Sequence, residues 1–285
     1  ARLAELDARA NDASGASGAA TQPWLAACEL QLQLTLDAAG RISEMFAAPG
    51  SARVLGAPLV WREARWLAAA PDRTALAVLD AELQPMTIAP WLARWQPDAG
   101  FGGDLAVKGN IVLRRGQNFT ADIVLERASG DLTVTNEGVI QSLGLTDLRL
   151  SMVANEGTWH FAQALAGANA GVLAGALSMR TSATATWPAP ETPLQGVLEW
   201  GVADLGVWAP FTPPGWRVGG QLRTSAAIGG RFGAPEIEGR MEGSQLAVRN
   251  LLEGVDLRDG ELALSLRGAD ARIDRFVFKG GDGTL

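Results

Sequence analysis

The chain has 285 residues, a hydrophobic share of 47% and a formal net charge of −7. That much apolar content supports a folded core and excludes wholesale disorder. Lys occurs only at Lys108 and Lys279, the other cations are Arg, and no basic cluster could neutralise a row of phosphates, so nucleic acid is not an expected partner.

Arg2 to Ala10 reads as a short helix or strand, and Asn11 to Gly18 as a Ser/Gly/Ala loop. Cys28 stands alone, so it makes no intramolecular disulfide and leaves the compartment open. Glu29 to Asp37 alternates, with Leu30, Leu32, Leu34 and Leu36 on one face, as a half-buried strand does. Arg53 to Leu67, with Trp61, Arg65 and Trp66, suits a helix or two strands, and strands are preferred. Thr74 to Leu83 alternates again and is expected to end at Pro85. Pro90 suits the first turn of a short helix in which Leu92 and Trp95 share a face. Strand patterns follow at Asp104–Val107, Asn110–Leu113, Phe119–Leu125, Asp131–Thr135, Asp147–Val153 and Thr158–Leu165. Pro188 to Pro193 is a Pro-rich break, and Gln195 to Leu205 resumes the pattern.

From Val218 onward the alternation is clearest. Leu222, Thr224, Ala226 and Ile228 fall every second residue up to Gly229-Gly230. Ile237 and Met241 follow, then Leu246 and Val248, then Leu262, Leu264 and Leu266, each group closed by turn residues. The chain stops inside such a stretch, at Gly281-Asp282-Gly283-Thr284-Leu285, and is expected to be a piece of a longer protein.

The sequence also repeats. Phe101-Gly102-Gly103-Asp104-Leu105 matches Val218-Gly219-Gly220-Gln221-Leu222 at an offset of 117, as Trp91 matches Trp208. Gly130-Asp131-Leu132-Thr133-Val134 matches Ser244-Gln245-Leu246-Ala247-Val248 at 114, and Leu148, Leu150 and Met152 match Leu262, Leu264 and Leu266. Repeats that bury their faces on neighbours give extended proteins. The expected fold is therefore all-β and elongated, of many short strands with one or two short helices; the alternation itself suits either a closed sandwich core or a curled, taco-like sheet around an apolar groove. Residues 1–74 would end a preceding β unit, 75–187 form one repeat, and 188–285 a second that continues beyond this chain.

Chemistry-bearing groups are sparse. His160 is the only histidine, so it has no His or Cys cluster for a metal, and a catalytic triad would hang on this one ring. Glu236, Glu238 and Glu242, and Asp256, Asp259 and Glu261, lie beside Arg231, Arg240, Arg249 and Arg258. Cross-strand ion pairs account for them more simply than a glycosidase pair does. Gly219-Gly220, Gly229-Gly230 and Gly280-Gly281 lack the helix and Lys of a phosphate loop and read as turns. Trp91, Trp95, Trp208 and Trp216 sit at the Pro-rich joints and are expected to pack a short helix on the sheet edge rather than stack on a sugar. No cofactor, no metal and no catalytic residue is expected.

One family shares this series of motifs. Trp208-Ala209-Pro210-Phe211, Gly219-Gly220-Gln221-Leu222, Ala234-Pro235-Glu236-Ile237-Glu238-Gly239 and Gly254-Val255-Asp256-Leu257-Arg258-Asp259-Gly260 resemble the TamB family of translocation and assembly module proteins, with AsmA-like relatives. The resemblance covers roughly residues 196–285 and, more loosely, 75–165. It implies a periplasmic protein anchored in the inner membrane by a segment outside this chain. It also implies an apolar β groove that moves phospholipid acyl chains towards the outer membrane. An outer-membrane barrel partner, TamA, is implied too, met through segments beyond these residues. On this reading the groove is lined by Leu105, Val107, Ile111, Leu113, Ile123, Leu125, Leu132, Val134, Leu148, Leu150, Met152, Leu222, Ile228, Ile237, Met241, Leu246, Val248, Leu262, Leu264 and Leu266. The alternative is a scaffold on which nascent outer-membrane strands pair with an exposed sheet edge.

Overall fold

The computed structural model describes residues 2–8, 25–54, 56–97, 100–136, 139–213, 215–268, 270–281 and 283–284. The loop expected at Asn11–Gly18 lies outside them. In chain order the elements are β1 (Arg2–Ala8), β2 (Leu25–Leu36), β3 (Ile42–Ala47), β4 (Gly50–Val54), β5 (Ala57–Leu67), β6 (Leu76–Thr87), α1 (Ala89–Trp95), β7 (Phe101–Gly103), β8 (Ala106–Arg115) and β9 (Phe119–Ser129). There follow β10 (Leu132–Asn136), β11 (Val139–Ser142), β12 (Leu145–Asn155), β13 (Thr158–Gly167), β14 (Gly171–Arg180), β15 (Leu194–Val202), a 3-10 helix (Leu205–Phe211), β16 (Arg217–Arg231), β17 (Ala234–Asn250), β18 (Val255–Gly268), β19 (Asp270–Gly280) and β20 (Gly283–Thr284).

Strands make up 72% of the chain, and seventeen of them form one antiparallel sheet that does not close into a barrel. The fold is all-β, as expected. From β1 the order runs through β2, the side-by-side β3 and β4, then β5, β6, β8, β9 and β12, and onward in sequence to β20. It is a meander with two excursions. The residues that leave it, β7, β10 and β11, build a separate three-stranded sheet in the order β11-β10-β7.

Local chemistry places the turns. Glu156 and Gly157 both have positive φ, 48° and 77°, so β12 and β13 are joined by the two-residue turn whose twist matches that of the strands. Pro85 does not end its strand. β6 continues to Thr87 through a register shift between Leu83 and Met86, where an irregular ladder tolerates a residue without an N–H. Gly229-Gly230 is likewise inside β16, opposite Glu236 and Pro235, and the chain reverses at Phe232-Gly233. Gly219-Gly220 marks a bulge rather than a turn.

The two repeated segments use matching positions differently. Phe101 pairs with Val134 in the small sheet, and their counterparts Val218 and Val248 pair in the large one. In the second segment β16, β17 and β18 stay continuous through register shifts at Gly219/Gln221, Gly243/Leu246 and Arg258/Glu261. In the first, the chain breaks around the equivalent points and the strand ends swing out as β7, β10 and β11.

Two buried clusters sit on one side of the large sheet, at opposite strand ends. At one margin, Ala89 of α1, Leu105, Leu132, Val134, Leu143, Leu145, Ala170 and Val207 close a core over Leu148 and Leu165. At the other, Ala121, Ala154, Trp159, Met179 and Leu194 pack with Phe119, Phe161, Ile228 and Phe232. A Pro-rich strap, residues 181–193, runs across this second margin. Phe119 N–H donates to the Ala183 carbonyl at 2.8 Å, and Gly233 N–H to that of Pro190 at 2.7 Å. The strap thus ties β9 to the turn between β16 and β17, five and six places away in the sheet, and so braces the curl.

Candidate functional site

Antiparallel partners point to the same side of a sheet, so register decides which residues share a face. Ile111 lies opposite Ile123, and Ile123 opposite Met152; Met152 meets Phe161, and Phe161 meets Leu177. Further on, Leu198 meets Ala226, Ile228 meets Ile237, Met241 meets Leu264, and Leu262 meets Phe276. One apolar face therefore runs unbroken from β6 to β19. Apart from Arg115 and Arg127, which pair with Phe119 and Val107 at the ends of their strands, Arg, Lys, Asp and Glu of these strands alternate to the other side, where cross-strand ion pairs form: Lys108 with Glu126 at 3.3 Å, Arg65 with Glu44 at 2.9 Å, and Arg275 with Glu261 at 2.6 Å.

Fifteen of the expected groove residues fall on this face by register: Val107, Ile111, Leu113, Ile123, Leu125, Leu148, Leu150, Met152, Leu222, Ile228, Ile237, Met241, Leu262, Leu264 and Leu266. Leu246 joins them beyond the bulge, since its Cδ1 lies 2.7 Å from where a Cβ on Gly243 would stand. Val248, opposite Leu257 and Val218, extends the row at the first margin.

Three expectations need correction. Leu105, Leu132 and Val134 are 2%, 8% and 2% exposed and form the sealed core under α1 and the 3-10 helix. The protein's own side chains occupy that space, because the small sheet folds back over the margin. Trp95 also departs from expectation. Leu92 packs on this core, but Trp95 is 90% exposed, since α1 ends there and Gln96 turns to φ −141°. Trp91 and Trp216 are half-buried, and Trp208 meets Trp200 edge-on at 6.3 Å.

Other residues on the face escaped the sequence reading. Leu79 and Ala81 of β6, Leu173 and Leu177 of β14, Leu194, Leu198 and Trp200 of β15, and Ile273 and Phe276 of β19 all belong to it. So do Trp159 and Phe161, which stack at 6.2 Å under Trp187 of the strap; Trp187 reaches Phe232 at 6.0 Å on the far side. The same period-2 signal was present in each, but β14 is rich in Ala and Gly and reads weakly as a strand.

Exposure along the face has a pattern. Leu34, Leu36, Met45 and Trp66 towards β2 are exposed, as are Ile273 and Phe276 towards β19. Between them, over β12–β16, the two clusters and the strap cover both strand ends. The result is a trough, open towards each end of the sheet and roofed from its margins in the middle.

His160 is exposed on the polar side, opposite Val153 and Ser178. Asp256 is held by Arg249 and Arg258, Asp259 by Lys279, and Glu261 by Arg275. Among the described residues no group of three or more His, Cys, Asp or Glu could hold a metal ion, and no helix is long and apolar enough to cross a membrane.

No family model, no curated protein and no solved structure matches this chain. The likeness to the TamB family thus rests on the residues quoted for it.

Proposed function

We propose that this chain is a lipid-conducting segment whose apolar trough carries phospholipid acyl chains through the periplasm, in support of outer-membrane biogenesis. The observation behind this reading is the single apolar face, carried from strand to strand from β6 to β19 through the bulges. A sheet built only to be stable would close such a face on itself; this one leaves apolar side chains exposed towards both ends. An acyl chain lying there gains about 0.8 kcal/mol for each methylene withdrawn from water. Headgroups stay outside the trough, in water. On this reading the protein performs no bond chemistry, and a barrel partner such as TamA would be met through other segments.

Position 264 faces the trough and position 265 the polar side, where the Ser265 hydroxyl donates to Asp274. A photoreactive residue placed at 264 should yield phospholipid adducts in cells, and the same residue at 265 should not. Equal lipid labelling at both positions would sink the proposal.

A second reading is favoured by one observation: among the described residues, the outer edge of β19 is paired only at Lys279 and Gly280. A scaffold for incoming strands would use such an edge. Adducts to barrel precursors instead of lipid would support it.

A further inference from the structure

Thr224 sits in the middle of the apolar face, in the row Leu222, Thr224, Ala226, Ile228, and is only 6% exposed. Its cross-strand neighbours are Trp200 on β15 and Met241 on β17, both on the trough side. Its Oγ1 is fully buried and finds no hydrogen-bond partner among the described residues. A buried hydroxyl left unmade destabilises a fold, and valine has nearly the same shape without that penalty. The only other polar side chain in this stretch of the face, Gln163, is exposed and can be satisfied by water.

The chemistry of the surroundings narrows what could satisfy the hydroxyl. Leu222, Trp200, Met241 and Leu264 admit hydrocarbon but offer nothing to a charged headgroup. A hydrocarbon tail has no acceptor. Where tail meets headgroup, an ester carbonyl is an uncharged acceptor at the end of an apolar chain. Met241 is unbranched and flexible, so it can yield its place to a chain seated over Thr224. We propose that Thr224 donates a hydrogen bond to the ester carbonyl of an acyl glycerolipid lying in the trough. The trough would then recognise how the chain is linked as well as its apolar character. This inference rests on the lipid-carrying reading above.

The test compares two lysophospholipids carrying the same fluorescent chain, one joined through an ester and the other through an ether that lacks the carbonyl. The protein should bind the ester about fivefold more tightly, the worth of one net hydrogen bond. Thr224→Val should bring the ester down to the affinity of the ether without changing the ether's, and Thr224→Ser should keep the preference. No preference in the unmodified protein, or a preference that survives Thr224→Val, would overturn the assignment. Failure of both lipids to bind the unmodified protein would instead overturn the trough reading itself.

Discussion

At the scale of single residues, two glycines do work that no other residue could. Gly220 has φ 101°, and a Cβ there would stand 2.5 Å from the Gln245 carbonyl oxygen and 2.7 Å from the Leu246 Cα. Gly103, its counterpart in the first segment, has φ 95° and would meet the Asp131 carbonyl oxygen at 2.3 Å. Both conformations are open to glycine and strained for other residues; at Gly220 this accommodates the bulge beside Leu246, and at Gly103 the end of β7 opposite Leu132. Gly229, nine residues on in the same strand, has nothing within 4 Å of its would-be Cβ. Gly220→Ala should therefore cost about 2–3 kcal/mol, and Gly229→Ala less than about 1 kcal/mol in either direction. Urea-unfolding midpoints of the two variants check this, and equal shifts would remove the bulge from the account. The sequence displayed the Gly-Gly pairs plainly, yet it could not say which were turns. A positive φ serves a bulge as well as a reversal, and cross-strand neighbours far along the chain decide between them.

At the scale of elements, Asp131 fastens the small sheet to the large one. Its carboxylate accepts the N–H groups of Leu132, Gly144 and Leu145 at 2.8 to 2.9 Å, and the Ser142 hydroxyl. Partial burial works to raise its pKa, but the Ser142 hydroxyl and these three amides outweigh it and hold the pKa below the ordinary 3.8. A depressed carboxylate pKa adds stability above the ordinary value and loses it as pH falls through the folded value. Asp131→Asn turns an amide NH2 towards some of these donors, so it should cost about 1 kcal/mol at neutral pH. The gap between the two proteins should close as pH falls below the ordinary carboxylate range. Thermal unfolding of both at neutral and acid pH checks it, and a gap that persists in acid would contradict the assigned role. The strands themselves were largely legible, because alternation of Leu, Ile and Val with polar residues survives any register. The lids were not. Leu132 and Val134 alternate as well as Leu262 and Leu264 do, and only tertiary folding of β7, β10 and β11 turns them from trough lining into a sealed core.

At the scale of the whole molecule, an open meander couples each strand mainly to its two neighbours, so stability should vary along it rather than reside in one core. The strands best held are β12 to β16, which carry both buried clusters and are crossed by the strap. The Trp159 side chain, 1% exposed, stacks on Phe119 and Phe161, and its Nε1 donates to Thr181 at the root of the strap. Towards β2–β4 and β19 the apolar face carries exposed side chains, and among the described residues no second layer covers it. Native-state hydrogen exchange should therefore show the slowest amides in β13–β15, with protection falling in steps towards either end. Trp159→Ala should flatten that profile by lowering the middle without changing β18 and β19. A uniform exchange free energy across all strands would mean that the sheet opens as one unit. The trough would then be a rigid slot, and its exposed ends could not widen independently to admit or release a chain. On the lipid-carrying proposal a graded profile is the expected one, since mobile ends could exchange lipid while the braced middle keeps the curl.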